Sequence, residues 1–227
     1  MVASPEGIPY GCPMQAVRAV IFDLDGTLVD SLDDISDALT RALADAGLPG
    51  IDRDAVRGWI GGGARTLVER AAPAAAVDDV LAGFRRYYAE APVARTQLYA
   101  GLPAALDALA DDGKVLAVLS NKPHDLTVRI AGALLGDWPF AVVAGHRPGF
   151  PLKPSPEAAL AVSHELGIAP AACALVGDAG TDVATARGAG MGAVAVTWGY
   201  RPRHELVETG AIVVDAPDEL VSALTQR

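Results

Sequence analysis

The feature that most constrains this chain is an alternation of short apolar runs with amphipathic segments. Apolar runs occupy 17–22, 114–119, 141–144, 172–176, 192–197 and 211–214. Helical spacing fills most of the gaps, at 102–112, 124–134, 156–167, 180–189 and 217–225. Continuous apolar runs of this length read as strands buried on both faces. Strands that alternate with helices imply right-handed crossovers and a parallel sheet covered on both sides. The expected fold class is therefore α/β, with a Rossmann-like parallel sheet core.

One interval breaks the alternation. From 30 to 98 no convincing strand is present. Ser31 is placed to cap a helix, and Asp33, Asp34 and Asp37 favour its positive end. Leu32, Ile35, Leu39 and Leu43 recur at helical spacing until Gly47 stops the run. Further helical segments are expected at 53–60, 64–72 and 77–91. The expected organisation is a loose leader at 1–16, a core built from 17–29 and 99–227, and an all-helical cap at 30–98. Hinges are expected near 29–30 and 98–99.

Composition limits the partners. Hydrophobic residues make up 51% and charged residues 20%, enough apolar surface for a real core. The net charge is −10 and the pI about 4.7, which gives no general attraction to nucleic acid or to an anionic membrane. No apolar run is long enough to span a bilayer. Cys12 and Cys173 are too few for a disulfide framework, so a reducing, cytoplasmic setting is expected. A monomer or a homodimer is compatible with all of this.

In an open parallel sheet, ligands bind beyond the carboxyl ends of the strands. The residues just past the apolar runs are Asp23, Asp25, Gly26 and Thr27, then Ser120, Asn121 and Lys122, then Gly177, Asp178 and Asp182. Lys153 precedes the helix at 156. Carboxylates crowded together need a cation, and oxygen ligands suit Mg²⁺. A metal, a lysine, a hydroxyl and loop amides together form a phosphate site. Plainer roles stay open at this point: Ser120 as a helix cap, Lys153 as a surface lysine, Asp182 as a charge on a helix start.

Four segments carry a resemblance. Asp23-Leu-Asp-Gly-Thr-Leu-Val-Asp30, Ser120-Asn121, Lys153-Pro-Ser-Pro156 and Gly177-Asp178-Ala-Gly-Thr-Asp182 occur in the order of the four motifs of the haloacid dehalogenase-like hydrolases. The runs Leu-Ser-Asn-Lys-Pro-His124, Gly62-Gly-Ala-Arg-Thr-Leu-Val68 and Thr-Trp-Gly-Tyr200 are similar to the phosphoglycolate phosphatase branch. The resemblance implies a phosphoric monoester hydrolase acting on a small phosphorylated metabolite such as 2-phosphoglycolate. It implies Asp23 as nucleophile, forming an aspartyl-phosphate, and Asp25 as general acid and base. It implies Mg²⁺ held by Asp23, the backbone carbonyl of Asp25 and Asp178, with Asp182 beside it. Ser120, the Asn121 amide and Lys153 would hold phosphoryl oxygens.

Neighbouring chemistries separate on single residues. Asp25 argues against a dehalogenase, which has no alkoxide to protonate. Lys114, Lys122 and Lys153 are the chain's three lysines and all lie outside 30–98, so a cap Schiff base has no amine. A phosphosugar mutase shares the nucleophile and the acid and remains an alternative; a non-catalytic binding module is another. About 97 positions separate Asp23 from Ser120 but only about 33 separate Ser120 from Lys153, which places the insert between the first two strands. Within it, Arg65 follows Gly61-Gly62-Gly63-Ala64 at a helix start and is expected to bind the substrate's carboxylate.

Overall fold

A computed structural model describes residues 16–225. Of the expected leader, only Ala16 lies among them, and Cys12 lies outside. Strand β1 (Ala19–Phe22) is fully buried. A two-residue strand, β2 (Val29–Asp30), leads into four helices: α1 (Leu32–Asp45), α2 (Arg53–Trp59), α3 (Ala64–Ala71) and α4 (Val77–Glu90). A second two-residue strand, β3 (Gln97–Leu98), leads back. The chain then runs α5 (Leu102–Asp111), β4 (Val115–Pro123), α6 (His124–Leu134) and β5 (Phe140–His146). It continues as α7 (Glu157–Leu166), β6 (Cys173–Gly177), α8 (Gly180–Gly188) and β7 (Gly192–Val196), and closes with α9 (Arg203–Glu208), β8 (Ile212–Val214) and α10 (Pro217–Thr225).

The six long strands form one parallel sheet in the order β5-β4-β1-β6-β7-β8. This is the parallel sheet that the apolar runs predict. Strand β1 is central, and the chain builds outward from it first through β4 and β5, then through β6, β7 and β8. The reversal of direction beside β1 opens a crevice at its carboxyl end. Strand β4 runs four residues further than its apolar pattern, so Ser120, Asn121 and Lys122 lie buried at the strand's end rather than in a loop. Its pairing with β5 shifts register between Leu119 and Pro123.

Two features depart from the sequence-based expectation. Residues 30–98 hold strand as well as helix at their margins, because β2 and β3 pair antiparallel through Val29–Leu98 and Asp30–Gln97. Two-residue strands carry no alternation for a sequence to display. Helix α9, six residues with one buried side chain, is likewise too short and polar to show a period.

The four-helix insert shares its apolar interior with the sheet. Leu39, Leu43, Val80, Leu81 and Phe84 belong to the same buried cluster as Phe22, Leu116 and Val176. Helices α1 and α4 approach closely at Gly83, where a Cβ would sit 3.2 Å from the Ala42 methyl. The insert's two ends are tied by a buried carboxylate. Asp34 accepts from the backbone N–H of Arg95 (3.0 Å), the N–H of Thr96 (2.9 Å) and the Thr96 hydroxyl (2.6 Å). The expectation placed Asp34 as a helix-end charge; its main work is this closure.

Replacing Asp34 with Ala leaves those donors without their acceptor. A loss of about 2–4 kcal/mol in folding stability is expected, because each unsatisfied buried donor costs about 1–3 kcal/mol. Urea denaturation of Asp34→Ala against the wild type measures it, and a change within error would remove Asp34 as the closure.

Candidate active site

The site begins where β1 ends. Asp23 is held in line with the sheet by its N–H, which donates to the Val176 carbonyl at 2.9 Å. Its Oδ1 accepts from the Leu24 N–H at 2.7 Å. The chain then turns through Gly26, whose φ of +85° suits glycine, and whose missing Cβ leaves room for the Asp178 carboxylate. Gly177 and Gly199 serve the same purpose: a Cβ on the first would collide with Asp182, and one on the second with Asp178. Three loops therefore close on one point only because three glycines stand there.

Lys153 holds that point together. Its Nζ lies 2.9 Å from Asp23 Oδ1, 2.7 Å from Asp182 Oδ1 and 3.1 Å from the Leu119 carbonyl. Burial pulls the Lys153 pKa down, but Asp182 and Asp23 outweigh it and hold it above the ordinary lysine value. The other oxygen of Asp182 accepts from the Ala179 N–H at 3.1 Å. Asp178 Oδ2 accepts from the Tyr200 N–H at 2.7 Å, and its Oδ1 takes no hydrogen bond from the described residues.

Ligand oxygens of Asp23, Asp178 and Asp182 lie within 4.8 Å of one another. Burial, then the neighbouring carboxylates, push Asp178 up to about 7. Burial pushes Asp23 up to about 6, with Lys153 opposing and Asp182 adding to the rise. Two buried acids that resist ionisation beside a third are the donor set a hard cation stabilises, so the residues fit a metal ion. Asp25 does not join the trio through its side chain. Its carboxylate turns to Lys122 Nζ, at 2.7 Å from both oxygens, and to the Ser31 hydroxyl at 2.5 Å. Ser31, expected as a helix cap, makes no side-chain cap and serves Asp25 instead.

Above this floor a half-open cleft lies between the sheet edge and the insert. Asp23, Asp25, Ser120 and Lys122 line its base, and Ile35, Ile60, Leu67, Phe84 and Leu126 line its walls. Asn121 lines it too, but its side chain is spent. Its Nδ2 donates to the carbonyls of Gly61 (2.9 Å) and Lys153 (3.1 Å), and its Oδ1 accepts from the Lys153 N–H (2.8 Å). A phosphoryl contact by Asn121 falls to its backbone.

Arg65 is a correction. Its side chain is 56% exposed and pairs with Asp78 at 3.0 Å and Glu69 at 3.9 Å, outside the cavity. The helix start after Gly61–Gly63 does reach the site, but Ala64 and Leu67 face it while Arg65 points away. Sequence reasoning gave no role to Lys122 or Tyr88. Tyr88 belongs to α4, and its hydroxyl lies 2.8 Å from Lys122 Nζ, so the insert touches the group that holds Asp25. Burial raises the Tyr88 phenol to about 12, and Asp25 and Tyr88 together keep Lys122 above its ordinary value against burial. The one available signal was the position of Lys122 directly after Ser120 and Asn121.

Comparison with known proteins is consistent with this geometry. The model of the haloacid dehalogenase-like hydrolase family matches residues 17–190. A phosphoglycolate phosphatase of Rhodospirillum rubrum is 39% identical over 209 residues, covering 87% of this chain and 86% of its own. One of Aquifex aeolicus is 36% identical over 184 residues, covering 81% and 86%. The crystal structure of a candidate phosphoglycolate phosphatase from Lactobacillus delbrueckii superposes with a TM-score of 0.88 at 27% identity, covering 94% of this chain and all of that one. No helix among the described residues is long and apolar enough to cross a membrane.

The raised acids make stability depend on pH. With pKa values near 6 and 7 in the folded chain against 3.8 unfolded, Asp23 and Asp178 bind more protons folded than unfolded across that window. Metal-free stability therefore falls as pH rises from about 4 to about 7. A divalent cation restores it at the upper end and does little at the lower. Thermal melts of chelated protein at about pH 5 and pH 8, with and without Mg²⁺, measure this. Asp178→Asn is expected to flatten the slope; an unchanged slope in that variant would separate the effect from these carboxylates.

Proposed function

We propose that this chain, which belongs to the haloacid dehalogenase-like hydrolase family, is a Mg²⁺-dependent phosphatase of a small phosphomonoester, 2-phosphoglycolate or a close relative. The observation that carries the reading is the pairing of two differently held carboxylates at the base of one cavity. Asp23 is fixed by Lys153 and the Leu24 N–H, while Asp25 is held by Lys122 and Ser31.

Asp23 attacks phosphorus in line with the ester oxygen. The P–O bond to the leaving group breaks as the bond from Asp23 forms, and Asp25 delivers a proton to the departing alkoxide. In the second half, Asp25 takes a proton from water, the water oxygen bonds to phosphorus, and phosphate leaves with Asp23 regenerated. Lys153, kept cationic by Asp23 and Asp182, and the Ser120 hydroxyl stabilise charge on the phosphoryl oxygens. Asp182 acts by positioning Lys153. Asp23, Asp178 and the backbone carbonyl of Asp25 would hold Mg²⁺, which would supply counter-charge to the phosphate beside these anionic side chains.

Residues 30–98 act as a cap that covers the substrate from water, hinged at the β2–β3 ribbon. Tyr88 and Asn121 link that cap to the core, through Lys122 and Gly61. The substrate class rests on the relatives' activity. A cytoplasmic metabolite is the expected partner.

A panel of phosphorylated metabolites compared by kcat/KM tests the reading, with 2-phosphoglycolate among the best substrates as the expected result. Asp23→Asn is expected to lower turnover by about a thousand-fold or more, since a neutral amide cannot attack phosphorus. A variant that keeps more than a trace of activity would rule out Asp23 as the nucleophile.

A further inference from the structure

We propose that Arg85, on the cavity-facing edge of α4, is the residue that reads the anionic end of the substrate. The proposal rests on the phosphoglycolate reading above and names the recognition group that Arg65 does not provide.

Three observations lead to it. The first is placement. The buried stripe of α4 includes Leu81 and Tyr88, and Arg85 stands four positions after the one and three before the other. It is the arginine among the residues that line the cavity, next to Phe84 on α4 and solvent-exposed, and it shares that lining with Asp23, Ser120 and Asn121. The second is its lack of a partner. Residues 30–98 contain eight arginines. Arg41, Arg53, Arg65, Arg86 and Arg95 each pair with an acid, while Arg57 and Arg70 donate to backbone carbonyls. Arg85 makes neither kind of contact with the described residues. A chain with 28 acidic residues against 18 basic ones leaves few guanidinium groups free, and this one faces the cavity.

The third observation is the rest of the lining. The walls are Ile35, Ile60, Leu67 and Leu126, whose side chains offer no hydrogen bond, and at the base Lys122 is paired with Asp25 and Lys153 with Asp23 and Asp182. For an organic phosphate with a carboxylate at its far end, Arg85 is the cationic side chain in the lining that no acid of the described residues pairs. A guanidinium fork matches a carboxylate in two parallel hydrogen bonds.

The test compares wild type, Arg85→Ala, Arg85→Lys and Arg65→Ala on 2-phosphoglycolate and on an aryl phosphate that has no carboxylate. Arg85→Ala is expected to lose about ten- to a hundred-fold in kcat/KM on 2-phosphoglycolate, and about three-fold at most on the aryl phosphate. Arg85→Lys should recover part of the loss, because a point charge replaces only part of the fork. Arg65→Ala should match the wild type on both. In a second arm, phosphonoacetate and methylphosphonate compete against aryl phosphate turnover. Phosphonoacetate should be the stronger inhibitor of the wild type, and Arg85→Ala should erase that preference. Equal losses on both substrates, or no loss on either, would overturn the proposal. If the wild type hydrolyses the aryl phosphate but not 2-phosphoglycolate, the substrate reading fails while the inhibitor arm still decides Arg85. A wild-type preference for phosphonoacetate that survives in Arg85→Ala would then overturn it.

Discussion

The Lys153 ammonium between Asp23 and Asp182 is the contact on which the rest of the site depends. All three groups are buried, with the side chains of Lys153 and Asp182 each only 2% exposed. Charges removed from water at such a site persist only when paired and hydrogen-bonded, and removing one partner strands the others. This pairing joins segments that are remote in sequence: the end of β1, the loop before α7 and the first turn of α8. Asn121 then fixes the Lys153 backbone from the end of β4. The sheet brings the four segments to one edge; the ion pairs set their spacing there.

The same base also fastens the insert. Asn121 reaches the Gly61 carbonyl, Lys122 reaches the Tyr88 hydroxyl, Arg57 donates to the Gly199 carbonyl, and Arg201 donates to the carbonyls of Gly58 and Ile60. Most of these joints are single polar contacts, set beside the apolar interior that the insert shares with the sheet. Such joints can break and reform at small cost, each net worth about 0.5–1.5 kcal/mol. In the proposed function, a cover that admits substrate and releases product works through joints of that kind. Two of them run through residues that hold Lys153 or Asp25, so the covering of the cavity and the order of its base are linked.

Much of the fold was legible because its signals are local. Apolar runs bounded by Gly and Asp marked the sheet strands, and the buried sheet needs such runs. Helices with a full apolar stripe, such as 124–134, appeared with their ends in place. Asp23, Asp178, Asp182 and Lys153 stood out because each follows or precedes an element at the same edge. What was hidden is long-range or orientational. The Lys122–Tyr88 contact joins a strand end to a helix face, and periodicity marks Tyr88 only as a packing residue. Arg65 and Arg85 look alike in sequence, each near a helix surface in the insert; only the packed helices show that one meets Asp78 and the other the cavity. The β2–β3 ribbon was invisible because two residues carry no pattern, although the expected hinge positions fall on it.

The central claim is that Asp23 becomes covalently phosphorylated. Enzyme in excess over 2-phosphoglycolate carrying radiolabelled phosphorus, quenched in acid within the first turnover and cleaved into peptides, tests it directly. The account predicts label on the peptide that contains Asp23, lost when the quenched protein is treated with base, as an acyl phosphate requires. Label on a different residue, or hydrolysis with inverted configuration at phosphorus and no labelled peptide, would contradict it.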